Sequence, residues 1–117
     1  MSRRTDRVSD LLRAELSDLL LREVHDPRVK LASVTEVEVT SDLRRAVVKI
    51  SALGDDAQRQ GTLEGLRHAK GFLRTELAHR LRLRATPELI FELDRGAEHS
   101  QRISDILEGL HGRDESS

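Results

Sequence analysis

The residues in this 117-residue chain best suited to metal or proton chemistry are its five histidines, His25, His68, His79, His99 and His111. Their spacing argues against both. His68 and His79 would share one helical face, but the eleven residues between their positions span roughly 16 Å at 1.5 Å per residue, too far for one ion. No serine or carboxylate stands at a spacing that builds a triad or an acid-base pair with them. Cysteine is absent, which removes thiolate zinc sites, iron-sulfur clusters, a Cys nucleophile and any disulfide framework. No phosphate-binding loop, dinucleotide fingerprint, nucleophile elbow or H-E-x-x-H motif occurs. No catalytic residue, metal or cofactor is therefore expected.

The cations are more informative. Net charge is only -1, yet residues 67–84 hold Arg67, Lys70, Arg74, Arg80, Arg82 and Arg84 against Glu76 alone, whereas residues 85–117 carry eight acids and three arginines. A neutral total thus hides a basic block beside an acidic one. That asymmetry points to one face built for a polyanion and another that is solvated or meets a protein. Seventeen of the twenty basic residues are arginine, whose planar fork suits phosphate. At 100° per residue, Arg67, Lys70 and Arg74 fall within about 60° of one another along the edge of an apolar stripe, as a rail of positive charge. Ala69 and Gly71 are small residues within that rail, where a nucleic-acid backbone could come close to the helix; Gly71 is the expected kink. Arg80, Arg82 and Arg84 extend the field into the following loop, and Arg28, Arg44 and Arg45 add loop cations.

Several elements must position these groups. Val8, Leu11, Leu12, Leu16, Leu19, Leu20 and Val24 recur at helical spacing, predicting a helix capped by Thr5 or Asp6 and ended before Pro27. Thr35, Val37 and Val39, and then Ala46, Val48, Ile50 and Ala52, alternate with polar residues as two strands joined by a turn at 41–45. Leu63, Leu66, Ala69, Leu73, Leu77 and Leu81 give a long helix interrupted near Gly71. Leu89, Phe91 and Leu93 form a third strand, and Ile103, Ile106, Leu107 and Leu110 a last helix. The helical crossover makes strands two and three parallel. The expected fold is α+β: a three-stranded mixed sheet with helices on one face, in the order helix, strand, strand, kinked helix, strand, helix. Residues 1–110 would form the single domain and 111–117 a disordered tail.

Composition sets further limits. With Phe72 and Phe91 the only aromatics, base stacking on aromatic platforms is excluded. No apolar run reaches the roughly 18 residues of a membrane span. The opening Met1-Ser2-Arg3-Arg4 lacks the apolar stretch of a secretory signal, so a cytoplasmic location without membrane contact is expected.

The element order is that of a type II KH domain, and particular residues carry the likeness further. Glu23-Val24-His25-Asp26-Pro27-Arg28, Val37-Glu38-Val39-Thr40-Ser41-Asp42-Leu43, Ala69-Lys70-Gly71-Phe72-Leu73-Arg74, Leu81-Arg82-Leu83-Arg84 and Pro87-Glu88-Leu89-Ile90-Phe91-Glu92-Leu93-Asp94 resemble the ribosome-binding factor A family over residues 3–110. In that family an Ala-x-Gly helix kink replaces the G-x-x-G loop of other KH domains, and Ala69-Lys70-Gly71 holds that position. Gly109-Leu110-His111-Gly112 spells G-x-x-G but follows the last strand and reads as a helix end.

The resemblance implies a bacterial ribosome biogenesis factor, not an enzyme. Its partners would be the free 30S ribosomal subunit and 16S rRNA, whose late processing and folding it would support, including in cold adaptation. It would act as a monomer with no cofactor or small-molecule substrate. Its RNA contacts would come from Arg28, Arg44, Arg45, Arg67, Lys70, Gly71, Arg74, Arg80, Arg82 and Arg84. The alternative is a protein-interaction module that docks on ribosomal proteins through the acidic third strand and C-terminal part.

Overall fold

A computed structural model describes residues 3–30 and 32–94. The expected C-terminal helix, the tail and the G-x-x-G stretch lie outside the described residues. Helix α1 spans Arg3–Arg22, a 3-10 turn covers Pro27–Val29, and strands β1 and β2 cover Ala32–Val39 and Arg45–Ala52. Helices α2 (Asp56–His68) and α3 (Lys70–Leu81) then lead to β3 (Glu88–Leu93). The sheet order is β1-β2-β3, with β1 antiparallel and β3 parallel to the central β2. This is the mixed sheet and crossover that the alternation pattern implied.

Alternation sorts the strands into two faces. Val37, Val39, Ala46, Val48, Ile50, Leu89 and Phe91 are buried against Leu12, Leu16 and Leu19 of α1, Leu63 and Leu66 of α2, and Leu73 and Leu77 of α3. Glu36, Lys49 and Glu92 sit side by side across the other face. Carboxylates cannot enter a core without partners, so all three helices lie on the valine and leucine side.

Two local expectations are corrected. Thr5 does not cap α1: the helix already runs from Arg3, and Thr5 is buried within its first turns. β1 begins before Thr35, and its register shifts between Val34 and Glu36. At this bulge the Thr35 hydroxyl donates to Asp94 Oδ2 at 2.7 Å, tying β1 to the end of β3 across the sheet. The β1–β2 turn is held by Asp42 Oδ1, which accepts from the Arg44 amide at 3.0 Å and the Thr40 hydroxyl at 2.6 Å. Leu43 takes a left-handed φ of 60° in this turn, while its side chain packs against the core.

Candidate nucleic-acid interface

The sequence places small residues and cations at the helix break. The interruption falls at Ala69, not Gly71. Ala69 has φ -84° and ψ -2°, and its amide reaches back to the carbonyls of Gly65 and Leu66, both at 3.1 Å. Leu73 N donates to Ala69 O at 2.9 Å, which starts the hydrogen-bond ladder of α3. Gly71 lies in the first turn of α3; its φ is not positive, and an added Cβ would meet nothing within 4 Å. The glycines at 61 and 65 do not interrupt α2 either.

The loop after α1 docks on α2 close to the break. Asp26 caps the 3-10 turn, accepting from the Arg28 amide at 2.9 Å, and binds the Arg28 guanidinium at 2.7 Å. The Arg28 guanidinium beside it lowers the Asp26 carboxyl from 3.8 to about 2. The Arg28 carbonyl accepts from Thr62 Oγ1 of α2 at 2.9 Å, and Val29 is buried next to Gly65. The loop is thereby fastened to α2 one turn before the break.

The bend at Ala69 interrupts the single helix on which the rail was drawn, leaving Arg67 on α2 and Lys70 and Arg74 on α3. Arg74 turns to the α3–β3 loop, donating to Thr86 O at 2.9 Å and Pro87 O at 3.2 Å. Arg80 donates to Glu15 Oε1 at 3.0 Å and Asp18 Oδ2 at 2.8 Å, clamping α3 to α1. Hydrogen bonding from Arg80 holds the Asp18 carboxyl below its ordinary range. Arg28 is engaged by Asp26. These three guanidinium groups thus have intramolecular partners.

Arg67 lines an open groove of about 580 Å³ between α2 and β3, shared with Gln60, Phe91 and Glu92. Lys70 is half-buried beside the break. The remaining cations gather at one end of the sheet. β2 and β3 start side by side, Arg45 opposite Glu88, and Glu88 N donates to Arg44 O at 2.8 Å. The Arg44-Arg45 turn therefore adjoins the Arg82–Pro87 loop, and all four arginines, Arg44, Arg45, Arg82 and Arg84, are exposed. Arg82 ends α3 in a left-handed conformation with φ 51°. Sequence reasoning listed these residues without seeing that parallel pairing brings their two loops together. It found no signal for the Arg74 and Arg80 clamps, which depend on contacts 12 to 65 residues away in sequence.

Among the described residues no cluster of histidines and carboxylates could hold a metal ion, and no helix is long and apolar enough to cross a membrane. The family model for ribosome-binding factor A matches residues 4–107. The chain belongs to this family. It is a family of ribosome-binding factors, not of enzymes. The crystal structure of ribosome-binding factor A from Thermus thermophilus is similar at a TM-score of 0.71 and 27% identity, over 78% of this chain and 96% of that one. The solution structure of a Thermotoga maritima protein assigned to the same factor gives 0.70 and 35% identity, over 79% and 88%. Homology coordinates of the Thermus thermophilus factor, fitted into the cryo-EM map of its complex with the 30S subunit, give 0.56 and 32%, over 73% and 93%. The KH-like fold of these relatives agrees with the sheet and helix order found here.

Proposed function

We propose that this protein binds the free 30S ribosomal subunit as a monomer and supports late folding and processing of 16S rRNA by favouring one RNA conformation. The observation that carries this reading is the likeness, at 32% identity, to a ribosome-binding factor A fitted into a 30S complex. The exposed Arg44, Arg45, Arg82 and Arg84 at one end of the sheet are suited to phosphates, and Arg67 and Lys70 near the helix break supply two further contacts. A protein that binds one RNA state more tightly than another shifts the population toward it without chemistry of its own. The location this implies is the cytoplasm, and a role in cold adaptation fits RNA helices that misfold more persistently at low temperature.

Co-sedimentation with small subunits tests the reading. The fourfold replacement of Arg44, Arg45, Arg82 and Arg84 by Glu should abolish association while leaving the fold intact, since exposed substitutions usually change stability by under about 0.5 kcal/mol each. A folded variant that still sediments with subunits would remove these arginines from the interface. A second reading is favoured by the outward sheet face, where Glu36, Glu38 and Glu92 outnumber Lys49: docking on basic ribosomal proteins. Binding to protein-free rRNA that weakens steeply with salt favours the first; no binding without ribosomal proteins favours the second.

A further inference from the structure

The two aromatic residues part company in the fold. Phe91 is 3% exposed on β3, whereas Phe72 is 44% exposed in the first turn of α3. Burying such a side chain is favourable by about 1.5–3 kcal/mol; Phe72 is the one aromatic ring outside the core, where Leu11, Leu21 and Leu53 are also exposed, and what sets it apart is that its ring lines a cleft. Phe72 lines a shallow cleft with Glu23, His25 and Asp26 from the segment that follows α1 and with His68 and Ala69 at the helix break. At about 290 Å³ the cleft falls just under the ~300–1,000 Å³ of small-molecule pockets.

Charge narrows the occupant. Asp26 is held by Arg28, but Glu23 is exposed at the rim and would repel a phosphate. Lys70 follows the break immediately and Arg67 precedes it, so a nucleic-acid backbone has cations outside the cleft, while the cleft itself suits a planar uncharged group. Both imidazoles are exposed and can meet the edge of such a group with a donor or an acceptor. We propose that this cleft receives one unpaired nucleobase of ribosomal RNA, stacked on the Phe72 ring with His25 and His68 at its margin. The inference rests on the ribosomal reading above. It also corrects the exclusion drawn from composition: two phenylalanines rule out a platform of several rings, not a single stacking ring at the surface.

The test compares the parent protein with Phe72→Leu and Phe72→Trp. Each is bound to small ribosomal subunits, and the rRNA is probed with base-specific chemical reagents. Stacking predicts that Phe72→Leu melts like the parent but binds roughly 5-fold or more weakly, in line with the loss of one base–aromatic contact. It further predicts one unpaired base whose altered reactivity in the parent complex is lost with Phe72→Leu and kept with Phe72→Trp. Parental affinity for the folded leucine variant, or a reactivity pattern identical in all three complexes, overturns the base site and leaves subunit binding standing. If binding weakens but no base responds, the ring meets a ribosomal protein and the proposal is wrong. A parent protein that does not bind subunits overturns the ribosomal reading and the cleft with it.

Discussion

A Cβ added at Gly65 would stand 3.0 Å from Val29 Cγ1 and 3.3 Å from Arg28 Cβ, whereas one added at Gly71 would stand in open space. Both glycines are helical, and the helix gains up to ~1 kcal/mol when either becomes alanine. At Gly65 that gain is opposed by a buried, branched neighbour whose loop is pinned through Thr62. Gly65→Ala should therefore lower stability by roughly 1 kcal/mol net, and Gly71→Ala should raise the melting temperature, both read by thermal denaturation. The sequence offers no means to tell the close approach at Gly65 from the open space at Gly71, because the partner of Gly65 lies more than thirty positions away. Asp26 carries a pH prediction of its own. Its folded pKa is depressed, so the bond to Arg28 is fully present above the ordinary 3.8 and is lost as pH falls through about 2. An NMR titration should find the Asp26 carboxyl near that value, and Arg28→Gln should move it back up toward 3.8.

At the scale of elements, periodicity located the α-helices and strands among the described residues, but not the 3-10 turn at Pro27–Val29, since burial on one side writes itself into spacing only over a longer run. It failed where an element is shaped by something distant. The break at Ala69 lies beside a loop docked on α2, and at the entry to β3 Arg74 reaches two carbonyls of the preceding loop. Arg67 and Arg74 look alike on a helical wheel and should behave oppositely. Arg74→Gln is expected to cost about 1 kcal/mol in chemical denaturation, because the Thr86 and Pro87 carbonyls lose their donors. Arg67→Glu, with the exposed side chain in an open groove, should leave the denaturation midpoint within error. The Thr35–Asp94 bond belongs to the same class of long-range tie, joining positions 59 residues apart that no local pattern connects.

Among the described residues, the cations divide into those engaged within the fold, such as Arg28, Arg74 and Arg80, and exposed ones at the end of the sheet, Arg44, Arg45, Arg82 and Arg84. This division was only half legible: composition showed the basic block, but which arginines are committed to carbonyls and carboxylates emerges from tertiary contacts. Each phosphate contact removed should flatten the dependence of log affinity on log salt by about 0.7–0.9. Binding of the parent and of the Arg44→Gln, Arg84→Gln double variant to small subunits, measured across a salt series, should show a difference near two such steps. In a sucrose gradient of cell extract, the protein should run with free small subunits and be absent from translating ribosomes.

The central strand acquires its two neighbours at different moments of synthesis. β1 precedes β2 by a short turn, but β3 begins only after about 35 further residues, both helices included. At ~5–20 residues per second that interval is roughly 2–7 s. Throughout it, β2 presents an unpaired edge backed by Val48 and Ile50, the kind of edge that pairs with a strand of another chain. The nascent protein is thus most open to aggregation between the emergence of Ala52 and that of Leu93, and a chain truncated before Glu88 should be recovered bound to chaperones or in inclusion bodies instead of free in the lysate.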